Sequence, residues 1–158
     1  MTRWDYCAPI LVLQQRAETG KVGRGDVEHP AGLEQTQGFR ECLARMWQVL
    51  SHLSDSDLMA GTRVRMIVTS DRPTLVGYDQ DAFTARFGGL DPDVTTTLQR
   101  WRALRLANLR IFESLTPAEW ERVGVHSERG DESARLTVEL MAGHDRVHLA
   151  QFRRAAGA

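Results

Sequence analysis

Lysine is almost absent from this chain. Of its 20 basic residues only Lys21 is a lysine, and 21 acidic residues bring the formal net charge to −1. Charge of one sign is therefore missing as well. That balance speaks against both a nucleic-acid partner and a membrane-surface partner, each of which selects a strongly basic face. The arginine excess reads as genome composition and not as a binding code. Cysteine is scarce: Cys7 and Cys42 are too few and too poorly spaced for a disulfide framework or a thiolate metal site. Neither has a histidine beside it in sequence, which argues against a nucleophilic thiol. No apolar run approaches the ~20 residues that span a bilayer. The N-terminus carries Trp4, Asp5 and Pro9 in place of a basic start and an apolar signal core. Repeats and low-complexity tracts are also missing. A single soluble, cytoplasmic domain over residues 1–158 is expected, since this length suits one core better than two.

What the chain does have is helical periodicity. Phe39, Leu43, Met46, Leu50, Leu53, Ala60, Val64 and Ile67 recur at steps of three, four or seven, which predicts a helix over about 34–69. Pro73 and Gly77 in "SDRPTLVGYD" end it. A second stripe runs Val94, Leu98, Trp101, Leu104, Asn108, Ile111, Leu115. "TPAEW" restarts a short helix, with Thr116 as N-cap, Pro117 at the first helical position and Glu119 completing a capping box. Gly124 and Gly130 bracket a predicted loop holding His126, and a last helix is expected from about Ser133 to Ala156. "APILVLQQRAE" reads as a first helix from about Pro9, followed by a glycine-rich loop that holds His29. Three long helices and this first one predict an all-α, four-helix bundle, antiparallel and without substantial sheet.

The last helix contains "MAGHDRVHLAQFRR", which puts His144 and His148 on one face with Cβ atoms about 6 Å apart. That spacing lets two imidazole nitrogens share one ion, and imidazole suits zinc, nickel and iron alike. Two partly buried histidines hydrogen-bonded to neighbours would produce the same pattern. A catalytic site also needs a third protein ligand. The best candidate is His52 in "WQVLSHLSDSD", at the edge of the other long stripe. His29 and His126 are weaker candidates.

These residues carry a family resemblance. "VLSHLSDSD", "TRVRMIV", "DRPTLVGYDQDAF", "WRALRLANLRIFESLTPAEWERVGVHSERG" and "GHDRVHLAQFRR" follow in the order and spacing of the DinB/YfiT-like superfamily, over about residues 49–155. The resemblance implies a bundle that binds a divalent metal through one histidine of its second helix and two of its last. Carried over, these are His52, His144 and His148, with Asp145 and Gln151 completing the "HD…H…Q" pattern. It further implies a homodimer, for which Val68, Leu75 and Phe83 offer exposed apolar side chains. The front departs from the family. A tryptophan and a serine or threonine usually open the second helix, whereas here "FRECLARMWQ" puts Trp47 too close to His52, and residues 1–38 match nothing.

Characterised members of the family include transferases and isomerases that use a low-molecular-weight thiol such as mycothiol or bacillithiol, and others are classed as metal-dependent hydrolases. The expectation is therefore an enzyme acting on a small-molecule substrate, in which a metal on three neutral histidines activates a thiol or water. A non-catalytic, stress-related metal-binding protein is the alternative. Arg105 falls on the inner side of its helix, where it either grips a substrate or thiol-cofactor carboxylate or pairs with an internal carboxylate. Asp55 either orients a ligand or serves as a base, and both it and Asp57 also fit a solvated helix face. Tyr78, beside Asp79, either reaches the pocket mouth or anchors its loop. Trp101 and Trp120 are expected in the core.

Overall fold

The computed structural model describes residues 37–155, and the expected first helix and His29 lie outside them. The elements are α1 (Gln37–Thr69), β1 (Thr74–Leu75), α2 (Gln80–Phe87), α3 (Val94–Ser114), α4 (Pro117–Trp120), β2 (Val123–His126), β3 (Gly130–Ser133) and α5 (Ala134–Ala155). Residues from Cys42 onward form one compact unit.

Local chemistry sets the boundaries. Asp93 caps α3 by accepting from the Thr96 amide at 2.8 Å, and Asp79 caps α2 through Ala82 at 2.9 Å. Thr116 and Glu119 form the expected capping box on α4. At the other end of α1, Arg122 donates to the carbonyls of Ile67 and Ser70, satisfying acceptors that the helix leaves open.

The long helices are not all antiparallel. Trp47 meets Thr97 and Asp57 meets Arg105, so residue numbers rise together and α1 and α3 run in the same direction. The segment between them, with β1 and α2, is long enough to return the chain to the starting end, as a bundle with a crossover requires. α5 runs antiparallel to both: His144 meets His52, while Ala134 at the start of α5 joins the cluster of Ile67 near the end of α1.

The described residues are mainly helical, as expected, with one small three-stranded sheet at one end. β1 pairs parallel with β2 (Leu75 opposite His126), and β2 pairs antiparallel with β3 (His126 opposite Gly130). His126 is therefore not in a loop; it is a strand residue, 2% exposed. Gly130, at φ 77°, takes a left-handed conformation that lets the three-residue connection close.

One apolar cluster joins Ala60, Val64 and Ile67 of α1 to Leu75, Phe112, Leu115, Ala134 and Met141, with Trp120 packed against it. It lies towards the sheet end. Leu75 is fully buried and cannot serve a dimer face, while Val68 and Phe83 are half-buried. The stripe read for α3 holds from Trp101 onward, with Asn108 and Leu115 buried, and fails at its start. Val94 and Leu98 are 39% and 44% exposed, and the buried residues are Thr97, Arg105, Asn108 and Phe112. Polar side chains thus fill the space between helices at the level of His52.

Candidate metal centre

His52 projects from α1, and His144 and His148 from successive turns of α5. Their ring nitrogens converge within 4.8 Å of one another. The Nε2 atom of His144 is 2.7 Å from that of His52 and 3.0 Å from that of His148. Rings meet edge to face, with interplanar angles of 78°, 69° and 79°. The Nδ1 of His148 is 2.9 Å from Oε1 of Gln151. An amide oxygen only accepts, so Nδ1 carries the proton and Nε2 of His148 presents a lone pair.

Hydrogen bonding satisfies this trio poorly. A single proton on Nε2 of His144 must be shared between two neighbours, whose nitrogens both have to act as acceptors. A cation removes that competition, and the donor set suits a borderline metal such as zinc. Nitrogens about 2.1 Å from a tetrahedral ion stand about 3.4 Å apart, so the two contacts need to open by roughly 0.7 and 0.4 Å. Burial is the main cause lowering the His52 pKa, with the His148 charge adding to it. For His144, burial and then the charges of His148, His52 and Arg105 bring it down to about 4. Both rings are held neutral, as ligands must be.

Behind the histidines lies a buried polar network. Arg105, 4% exposed, donates through Nε and a terminal nitrogen to both oxygens of Asp57, each at 2.8 Å. Its terminal nitrogens also donate to Asp145 at 2.6 and 3.0 Å. Of its two readings, the internal ion pair is the one present. Burial opposes the charge on Arg105, but its hydrogen bonds to Asp57 and Asp145 outweigh that and raise its pKa. Asp57 also accepts from Trp101 at 2.7 Å and from Asn108 at 3.2 Å. Asn108 reaches α1 because Gly61 is there: a Cβ at Gly61 would lie 2.0 Å from its Oδ1.

The solvated-face reading of Asp55 and Asp57 fails, since both are buried, at 9% and 0% exposed. Asp55 sits 3.8 Å from Arg100, and its Oδ2 has no hydrogen-bond partner among the described residues. Burial pushes its carboxyl pKa up, and Asp91 adds to that against the pull of Arg100. Tyr78 anchors its segment, with its hydroxyl 3.1 Å from that of Ser56 and its ring on Phe83. His126 is not part of the trio; its Nδ1 accepts from the Glu128 amide. A cavity of about 410 Å³ is lined by Trp47, Gln48, Asp81, Thr84, Gly88 and Gly89. Gln48 precedes His52 by one turn of α1, and none of the three histidines lines this cavity. Sequence reading missed Asp57, Trp101 and Asn108 as members of the network. Trp101 and Asn108 already stood on the inner stripe of α3, but a stripe does not say that the Asp57 carboxylate faces them from α1.

The chain is 28% identical over 105 residues to a protein of Oceanobacillus iheyensis named "Putative metal-dependent hydrolase", covering 66% of this chain and 60% of that one. A protein of Halalkalibacterium halodurans with the same name is 24% identical over 123 residues, covering 78% of this chain and 71% of that one. The first match thus spans less than two thirds of the relative's length. Among solved structures, YfiT from Bacillus subtilis, described as a probable metal-dependent hydrolase with an unusual four-helix bundle topology, superposes with a TM-score of 0.59 at 21% identity. That match covers 70% of this chain and 66% of YfiT, and it shows an all-α bundle of the same kind. The family model of the DinB superfamily matches residues 43–152, most of the chain, and the chain belongs to that superfamily.

Proposed function

We propose that His52, His144 and His148 hold one divalent metal ion and that the protein is a metal-dependent enzyme, hydrolytic in the first instance. The convergence of three Nε2 atoms on one point carries this reading. A divalent ion on three neutral imidazoles acidifies a bound water or thiol and polarises a carbonyl. The chain's own groups supply the rest. Gln151 orients His148 through Nδ1. Asp55, three residues after His52 with an unpartnered oxygen and a raised pKa, is the candidate proton acceptor. The cavity beside Gln48 and Asp81 is the candidate substrate site.

The names of the relatives favour water as the activated group. A low-molecular-weight thiol is the second option, because the same ion also stabilises a thiolate. Elemental analysis of the purified chain, then turnover assays on ester and amide panels with and without added thiols, tests both. Stoichiometric metal with metal-dependent, thiol-independent hydrolysis is expected. A chain that binds no zinc, nickel or iron would overturn the proposal.

A further inference from the structure

We propose that Arg105 is a positioning residue, whose bridge between Asp57 and Asp145 sets the register of His52 on α1 against His144 and His148 on α5. The inference rests on the reading of the three histidines as a metal site.

The bridge lies where the site needs it. Asp57 is five residues beyond His52, and Asp145 directly follows His144. One planar guanidinium on α3 makes four hydrogen bonds of 2.6 to 3.0 Å to these two carboxylates, two to each. Such a fork fixes direction as well as distance. Trp101 stacks beneath the guanidinium, 5.4 Å from its centre, and donates to Asp57 in turn.

Apolar packing does not supply the same control here. The main cluster lies towards the sheet, and at the level of the histidines the buried residues include Ser51, Ser54, Asp57, Thr97, Arg105 and Asn108. Apolar contacts tolerate sliding, whereas a paired, buried fork has one arrangement that leaves no charge unpaired. Metal ligands require placement to within about 0.5 Å. The two carboxylates also mask the Arg105 charge. Without Asp145, a guanidinium with one partner fewer would stand beside His144 and repel a dication.

Substrate binding is a poor use for Arg105. It is 4% exposed, with its donors already engaged on both carboxylates.

The test compares the full-length wild type with Arg105→Lys, Asp145→Asn and Ile67→Val. Zinc affinity is measured by competition with a chromophoric chelator, cobalt binding by its visible spectrum, and metal-free stability by thermal denaturation. Arg105→Lys and Asp145→Asn should each weaken zinc binding by about tenfold or more, the usual effect of losing a partner behind a metal ligand. Both should alter the cobalt spectrum. Ile67→Val lowers stability in the distant core and should leave affinity within about twofold. Variants that lose metal-free stability yet keep wild-type affinity and spectrum would overturn the proposal, leaving the bridge a structural element. Should both fail to fold without metal, zinc titration followed by circular dichroism decides, and refolding at wild-type zinc concentrations would also overturn it. A wild type that binds no metal removes the metal-site reading itself, a result visible before any variant is made.

Discussion

His52 on α1 and His144 on α5 bring their Nε2 atoms to 2.7 Å across 92 residues of sequence. His148 crowds the same point from the next turn. The proposed metal site follows from that contact.

Replacing any of the three histidines with alanine should abolish stoichiometric metal binding. The affinity loss should exceed the roughly 10–100-fold that loss of a supporting group produces. His29→Ala should keep full metal content. Elemental analysis after dialysis reads both, and retention of one metal per chain by His52→Ala would refute the three-histidine site.

Gln151→Leu isolates the support behind His148. Gln151 is exposed, so the metal-free stability should move by no more than about 0.5 kcal/mol. Loss of the Nδ1 partner should still weaken zinc binding by about tenfold. Unchanged affinity would mean that the α5 backbone alone orients the ring.

Acid should destabilise the metal-free protein in a defined window. His144 has a folded-state pKa of about 4, and that of His52 is also lowered, so the unfolded chain binds protons that the folded chain refuses. Stability from this source is full above the unfolded value of about 6.5 and declines as pH falls towards about 4. Chemical denaturation between pH 4 and 8 measures it. Metal occupancy should fall over the same range, because protons compete for the same lone pairs. A metal-free stability that rose on acidification through this window would contradict the assignment.

Metal removal should lower the melting temperature by mass action. Zinc in hundredfold excess over its dissociation constant adds about 2.7 kcal/mol to a chain that binds it only when folded. A chelator should reverse that shift, and identical melting curves with and without zinc would exclude a site formed only on folding.

Gly61→Ala gives a test of the polar layer. Alanine improves helix propensity by about 1 kcal/mol at an interior position. Here the new Cβ would meet the Asn108 amide at 2.0 Å, so the network must shift. Net destabilisation of about 1–3 kcal/mol is expected, as for other overpacked sites. A more stable variant would show that α1 and α3 can separate without cost.

The legible part of this protein was local. The apolar steps of α1 are in the sequence, and Leu53, Ala60, Val64 and Ile67 are buried as that stripe requires. The capping box at Thr116 and Glu119 is an interaction over three residues, so its pattern suffices. The four-residue spacing of His144 and His148 fixes their shared face for the same reason. His52 could be nominated as the third member of the trio, through its stripe and the family resemblance. Its distance from the other two could not be read.

Tertiary structure decided what depends on which surfaces meet. Periodicity on α3 put Asn108 on the inner stripe and Arg105 beside it, and both are buried, but it also marked the exposed Val94 and Leu98 and passed over the buried Thr97. A helix facing ionic partners hides its polar side, and no pattern within one helix contains the partner. The sheet escaped notice because β1 is two residues long and gains its pairing from β2, some fifty positions away. The parallel course of α1 and α3 depends on the path of the intervening segment, which helix periodicity does not encode. Asp57 and Asp145 are two unremarkable acids in the sequence. Folding places one arginine between them, because a buried charge is tolerated only where opposite charges already wait.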